Sequence, residues 1–279
     1  MIGRHHDSSI GIFDSGVGGL SVLRSLLQEL PNENVYYFGD QIHVPYGTRT
    51  LEEVREYSIA ITRFLLELGA KIIVVACNTA SAAALQFLRD TFPNTPFVGM
   101  EPAIKPAAEN TRTGIVGVLA TPATFQGALY ASVIERFASN VLVVQNTCPG
   151  LVQQIERGAI EADETRRILE SAILPMMDQG IDTIVLGCTH YPFVIPLIND
   201  IVGPNVRVID PAPAVARQVA RVLEEKYWKN LDLKPGRLIF YTSGKSARFI
   251  VLLKKLLNET HPAQEVSWDN FEIRIKEIC

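Results

Sequence analysis

Apolar residues along this chain fall into two alternating patterns. In one they form short, nearly unbroken runs, at 10–13, 35–38, 71–76, 115–119, 141–145, 183–186, 206–209 and 237–241. Runs of that length, bounded by turn-forming residues, predict buried β-strands. In the other they recur every three or four positions. Within 52–68 the residues Val54, Tyr57, Ile61, Phe64, Leu65 and Leu68 share one helical face, which predicts an amphipathic helix. Gly69 stands where its C-cap belongs, and Pro31 closes a similar helix over 20–30. Strands alternating with helices predict an α/β fold, each sheet mostly parallel and flanked by helices on both faces.

The order of these elements repeats. The run Ile10-Gly11-Ile12-Phe13 leads to Asp14-Ser15-Gly16, and a cysteine arrives at position 77. The run Ile115-Val116-Gly117-Val118-Leu119 leads to Ala120-Thr121-Pro122, and a cysteine arrives at position 188. The two intervals, 63 residues from Asp14 to Cys77 and 67 from Thr121 to Cys188, predict two related halves. The expected division is a first α/β domain of 1–99 plus 210–279 and a second of 100–209. The proline-rich stretches 102–106 and 211–213 are the two crossings, and the chain after 210 returns to complete the first half.

Composition narrows the class without naming a chemistry. The chain has 279 residues, 47% hydrophobic and 20% charged, with a net charge of -4. That balance fits a globular protein with a substantial core and offers no basic surface for nucleic acid or an anionic membrane. The first residues carry no apolar stretch of signal-peptide length, and no run reaches the roughly 20 residues that span a bilayer. The expected compartment is therefore the cytoplasm, where free thiols persist.

Of the four cysteines, Cys77, Cys148, Cys188 and Cys279, none forms a Cys-x-x-Cys pair, and a zinc site built from Cys77, Cys188 and His190 lacks local ligand pairs. Cys148, between Thr147 and Pro149-Gly150, reads as structural. Cys279 is the last residue and is not expected in a site. His5, His6, His43 and His261 read as surface residues.

Cys77 and Cys188 differ from Cys148 in their setting. Each follows a buried strand and precedes small hydrogen-bonding residues, Asn78-Thr79 or Thr189-His190. A buried core thiol is the bland reading of either one alone. The open end of a parallel sheet, however, is where ligands bind, and polar residues there suit a helix N-terminus that holds a carboxylate. Two thiols in matching positions suit removal of a proton from one face of a carbon and its return to the other. One sulfur is then the thiolate base and the other the thiol acid. A free thiol is only a few per cent ionised near pH 7, so each needs a polar helper. Asp14, His190 and Glu156 are the candidates. Their bland readings are a helix N-cap or turn residue, a structural histidine and a solvated helix charge.

The glycine-rich turn Asp14-Ser15-Gly16-Val17-Gly18-Gly19 brings backbone N–H groups close to an anion. It has neither the G-x-G-x-x-G spacing nor the lysine of a phosphate loop, and no G-x-S-x-G elbow surrounds Ser15. Tyr46 and Gly47 in Val44-Pro45-Tyr46-Gly47 offer N–H groups for a second carboxylate, or form a plain turn. Thr121 and Thr124 occupy the matching strand end in the second half, where threonine also serves as an N-cap.

With these motifs the sequence resembles the glutamate racemase family, within the aspartate/glutamate racemase superfamily. The resemblance rests on Phe13-Asp14-Ser15-Gly16-Val17-Gly18-Gly19, Pro45-Tyr46-Gly47, Ala76-Cys77-Asn78-Thr79-Ala80, Val98-Gly99-Met100-Glu101-Pro102, Thr121-Pro122-Ala123-Thr124 and Gly187-Cys188-Thr189-His190-Tyr191-Pro192, in that order. It implies two pseudosymmetric α/β domains with the active site in the cleft between them, and a racemase that uses no cofactor and no metal and makes D-glutamate for peptidoglycan. It implies that Cys77 deprotonates D-glutamate and Cys188 L-glutamate. Asp14 and His190 assist their thiols, and Glu156 is the auxiliary acidic residue. Substrate contacts are expected from Asp14, Ser15, Tyr46, Gly47, Asn78, Thr79, Thr121, Thr124, Thr189 and His190. The partner is a small molecule, and homodimers are frequent in the family. The short lead before Phe13 resembles members without the extension associated with activation by a peptidoglycan precursor. A racemase acting on aspartate and a non-catalytic binder of acidic amino acids stand as alternatives. Sulfurs about 3.5 Å from one carbon, on opposite faces, lie roughly 7 Å apart, too far for a disulfide.

Overall fold

Every apolar run of the sequence is a strand in the computed structural model, which describes residues 8–276. His5, His6 and Cys279 lie outside the described residues, as do the outermost ends of the first expected domain. The strands are β1 (Ser9–Asp14), β2 (Val35–Gly39), β3 (Ala70–Val75), β4 (Phe97–Gly99), β5 (Ile115–Ala120), β6 (Leu142–Asn146), β7 (Thr183–Gly187), β8 (Arg207–Ile209), β9 (Leu238–Thr242), β10 (Ala263–Asp269) and β11 (Glu272–Ile275). The helices are α1 (Leu20–Glu29), α2 (Leu51–Glu67), α3 (Asn78–Thr91), α4 (Ile104–Asn110), α5 (Pro122–Gln126), α6 (Ala128–Phe137), α7 (Leu151–Glu156), α8 (Asp163–Met177), α9 (Ile195–Val202), α10 (Ala212–Glu225) and α11 (Ser246–Leu257). Short 3₁₀ turns cover Tyr46–Thr48 and Tyr191–Val194.

The strands form two sheets. One runs β11-β10-β9-β2-β1-β3-β4 and the other β6-β5-β7-β8. All pairings are parallel except that of β10 with β11. The shared order is informative: β2-β1-β3-β4 in the first sheet is matched by β6-β5-β7-β8 in the second. In each, the first strand of the unit lies between the second and the third, so chain direction across the sheet reverses beside it. That reversal opens a crevice at the carboxyl ends of the strands. Asp14 and Cys77 lie at or just beyond the ends of β1 and β3; Thr121 and Cys188 follow β5 and β7.

Three strands carry no long apolar run. β4 has three residues. In β10 the polar Gln264, Glu265 and Ser267 interrupt Val266 and Trp268, and β11 is antiparallel and largely exposed. β4 and β11 are the two edges of the first sheet and β10 lies next to the edge, where the sheet is less covered and the apolar signal thins. The chain after 210 does return to the first sheet, β9 pairing with β2 and β10 with β9.

Local signals set the helix ends. Thr50 caps α2 through a reciprocal box with Glu53: the Glu53 N–H donates to Thr50 Oγ1 at 3.2 Å and the Thr50 N–H to Glu53 Oε2 at 3.0 Å. Gly69, with φ +89°, ends the helix as its sequence position predicts. Among the described residues no helix is long and apolar enough to cross a membrane.

β3, which delivers Cys77, is anchored by an ion pair at its other end. Lys71 Nζ lies 2.6 Å from Glu33 Oε2, with both side chains almost completely buried. The ammonium also donates to the Trp228 carbonyl at 2.7 Å, and Glu33 Oε1 accepts the Asn230 N–H at 2.6 Å. This explains how a lysine begins an otherwise apolar run: its charge is paired and hydrogen-bonded. Removing one partner leaves the other charge buried alone. Lys71→Met should therefore lower the unfolding free energy by about 3 kcal/mol, read from urea denaturation.

Candidate active site

Cys77 is the N-cap residue of α3. Its extended backbone turns the sulfur back over the first helical turn, where Sγ accepts the Ala80 N–H at 3.5 Å. Cys188 follows β7, and its Sγ lies 3.8 Å from His190 Nδ1. Neither is in a disulfide, and both line one small cavity with Ser15, Pro45, Tyr46, Gly47, Asn78, Thr79, Thr121, Val152, Thr189 and His190. Ten of the residues singled out from sequence thus meet at one place. Its internal space is about 20 Å³, little more than one water requires. A ligand of amino-acid size needs the walls to part.

Asp14, Glu156 and Thr124 stand behind that wall. Asp14 is fully buried. Its Oδ1 accepts the Gly16 N–H at 2.8 Å and its Oδ2 the Thr189 hydroxyl at 2.9 Å. The carboxylate therefore joins the glycine-rich turn to the loop that carries Cys188. Thr124 bonds Thr121, with 2.9 Å between the hydroxyl oxygens, and Thr121 reaches Thr79 across the cavity at 2.9 Å. Thr121 also caps α5, so the N-cap and wall positions coincide.

Glu156 is buried at the end of α7 rather than solvated. Its Oε1 accepts both the Val17 N–H at 2.8 Å and His190 Nε2 at 2.7 Å. The turn before Val17 must lie almost on this carboxylate, since a Cβ built on Gly16 would come within 2.0 Å of Glu156 Oε1. Only glycine permits that approach.

These contacts set the charges. Burial alone would lower the pKa of His190, but its hydrogen bonds to Cys188 and Glu156 outweigh it and hold the imidazole well above its ordinary 6.5. His190 is therefore the charged group beside Cys188 at neutral pH. Burial pushes the Cys77 thiol up, and the Asp14 carboxylate adds to the push against the N–H groups of Ala80 and Ser15. Cys77 rests as S–H. Burial likewise raises Asp14, opposed chiefly by the charge of His190. Cys148, pushed up to about 12 by burial, packs in the main hydrophobic core, as a structural thiol does.

Two elements escape sequence reasoning. Val152 supplies an apolar wall from α7, with no sign beyond ordinary helical periodicity. Asp40, after β2, is a buried acceptor of the Tyr46 hydroxyl at 2.6 Å. His43, expected at the surface, is instead half-buried: its ring stacks on Tyr57 at 4.0 Å and its Nδ1 lies 2.8 Å from Asp40 Oδ2. The three-residue step from Asp40 to His43 across a turn allows that contact. Asn78 is buried at the cavity, and among the described residues neither polar atom of its amide has a hydrogen-bond partner, which is uncommon for a buried amide. Among the described residues no group of three or more His, Cys, Asp or Glu side chains is arranged to hold a metal.

Residues 10–219 match the model of the Asp/Glu/Hydantoin racemase family. A glutamate racemase of Roseiflexus sp. (strain RS-1) is 49% identical over 248 residues, which is 88% of this chain and 91% of the relative. The crystal structure of the glutamate racemase isoform RacE1 from Bacillus anthracis superposes with a TM-score of 0.87 at 31% identity, covering 96% of this chain and all of that one. That of Francisella tularensis glutamate racemase in complex with D-glutamate gives 0.82 at 30% identity, covering 94% and 98%.

The His190–Glu156 bond sets a pH dependence. A folded pKa above the unfolded one contributes stability that is complete below the unfolded value and is lost as pH rises through the folded one. Nitrogen-15 spectra should show both ring nitrogens of His190 protonated at pH 7.5 and a neutral ring in Glu156→Gln. The wild type's stability advantage over that variant should be largest below about pH 6.5 and shrink above it.

Proposed function

The chain belongs to the Asp/Glu/Hydantoin racemase family, and from that footing we propose that it interconverts L- and D-glutamate through two opposed thiols. The observation that carries this reading is that Cys77 and Cys188, both free and each at the carboxyl end of the corresponding strand of its sheet, line the same cavity. Curated relatives about half identical over most of the chain support glutamate as the substrate.

In the L-to-D direction the Cys188 thiolate takes the Cα proton. Cys77 gives its S–H proton to the opposite face, leaving Cys188 as thiol and Cys77 as thiolate. The D-to-L reaction reverses both transfers. His190, held protonated by Glu156, supplies positive charge beside Cys188 for the thiolate form. Asp14 acts on Cys77 through its field, favouring the thiol that must donate. The first turn of α3 directs N–H groups toward the cavity, where the developing negative charge of the deprotonated carbon and its carboxylate needs donors. The free amide of Asn78 completes the polar set: its Nδ2 donates to a carboxylate and its Oδ1 accepts from the substrate ammonium. Thr79, Thr121, Thr189 and the N–H groups of Ser15, Tyr46 and Gly47 hold the remaining oxygens. Entry takes place as two domains, 1–99 plus 210–279 and 100–209, move apart. The D-glutamate serves peptidoglycan synthesis in the cytoplasm.

Incubation with L-glutamate in deuterated water, without added cofactor, tests the mechanism. The wild type should lose the Cα proton signal and the circular dichroism of the substrate together. Cys77→Ala and Cys188→Ala should each racemise at least a thousandfold more slowly, within the range of a lost general acid or base. Full activity in either variant overturns the two-thiol mechanism. A wild type inert toward glutamate but active on aspartate overturns the substrate.

A further inference from the structure

The wall of the cleft formed by Tyr46 and Gly47 is held from a distance. Asp40, fully buried, accepts four side-chain contacts: the Tyr46 hydroxyl at 2.6 Å and His43 Nδ1 at 2.8 Å on Oδ2, the Ser243 hydroxyl at 2.8 Å and the Trp268 indole N–H at 3.1 Å on Oδ1. Its own backbone N–H donates to the Asp14 carbonyl at 3.0 Å. Trp268 belongs to the β10–β11 hairpin, outside the segment 10–219 that matches the family model. Rings continue the connection. The imidazole of His43 stacks on Tyr57 at 4.0 Å and meets the Trp268 ring edge-on at 4.9 Å, and Phe271 at the hairpin tip lies 6.3 Å from Tyr57. Arg49 ties the far end of the loop by donating to the His43 carbonyl at 2.6 Å.

This arrangement has no slack where it meets the second sheet. A Cβ on Gly47 would come within 2.6 Å of Thr121 Cβ, so a shift of a few tenths of an ångström in the loop changes the contact that closes the cleft. We propose that Trp268 is a positioning residue for the substrate: its N–H fixes the Asp40 carboxylate, which fixes Tyr46 and, with it, the backbone of Tyr46 and Gly47 against Thr121. The C-terminal hairpin is thereby a part of the binding site that touches no substrate. The inference rests on the proposed glutamate racemisation, because the loop matters only if its N–H groups hold a substrate carboxylate.

The test is the division of effect between KM and kcat. Trp268→Phe keeps an aromatic ring against His43 and Tyr57 but deletes the donor. It should raise KM for both glutamate enantiomers about tenfold, with kcat within twofold of the wild type and an unchanged thermal midpoint. A purely structural hairpin would instead lower the midpoint or the active fraction and leave KM alone. A second reading does not depend on that variant folding. The chain has two tryptophans, so Trp228→Phe leaves Trp268 as the sole one, and its emission should change on titration with D-glutamate with half-saturation at KM. An unchanged KM in active Trp268→Phe, a loss confined to kcat, or silent emission from an active Trp228→Phe protein overturns the role of Trp268 while leaving glutamate racemisation standing. A wild type that does not racemise glutamate overturns that underlying reading instead.

Discussion

One carboxylate oxygen, Glu156 Oε1, holds the site in register. It receives the Val17 N–H from the glycine-rich turn of the first sheet and the Nε2 of His190 from the loop after β7 of the second. Three segments distant in sequence are joined at a single atom. A buried carboxylate in a low-dielectric setting is costly unless its partners are donors in good geometry. The demand acts in both directions. It keeps His190 charged, and it forces the turn so close that Gly16 has no room for a side chain. The same turn carries Asp14, whose other oxygen bonds Thr189 next to Cys188. Loops from each sheet therefore help to define the surroundings of the thiol carried by the other.

The fold was legible wherever apolar residues formed an unbroken run. All eight apolar runs appear as strands, but only β1, β2, β3, β5 and β7 are buried along nearly their whole length; β6 and β8, expected to be buried, lie at the edges of the second sheet and are partly exposed. The repeat was legible because the two units share strand order as well as motif order, so the spacing of Asp14 from Cys77 and of Thr121 from Cys188 reflects one topology used twice. β10 and β11 were not legible, because an edge hairpin buries one face at most and its polar positions break the run. The gathering of the candidate residues was legible through their matching places: two thiols, an acid and a histidine stand at or just beyond strand ends of the same topology, and the thiols and the histidine line one cavity. Asp40, Val152 and the true setting of His43 were hidden for the opposite reason. A carboxylate after a strand, a valine in a helix and a histidine in a loop are each ordinary, and only the tertiary arrangement gives them partners.

The two thiols share a topological position and differ in environment. Around Cys77 the polar groups are backbone N–H donors and a carboxylate; beside Cys188 stands a histidine paired with a glutamate. Racemisation does not require the two to be alike. Mirror-image substrates have equal free energies in water, so the ratio of kcat/KM in the two directions must be one whatever the site looks like. What symmetry fixes is that ratio alone; kcat and KM for each enantiomer are free to differ together. The unequal surroundings place their mark there. Burial and the Asp14 field hold Cys77 as a thiol, the form that donates in the proposed L-to-D step, and a charged imidazole stands beside Cys188. One strand order used twice brings both sulfurs to the same cavity. In the proposed mechanism, the difference between their neighbours divides the acid and base roles between the two without altering an equilibrium that the substrate alone sets.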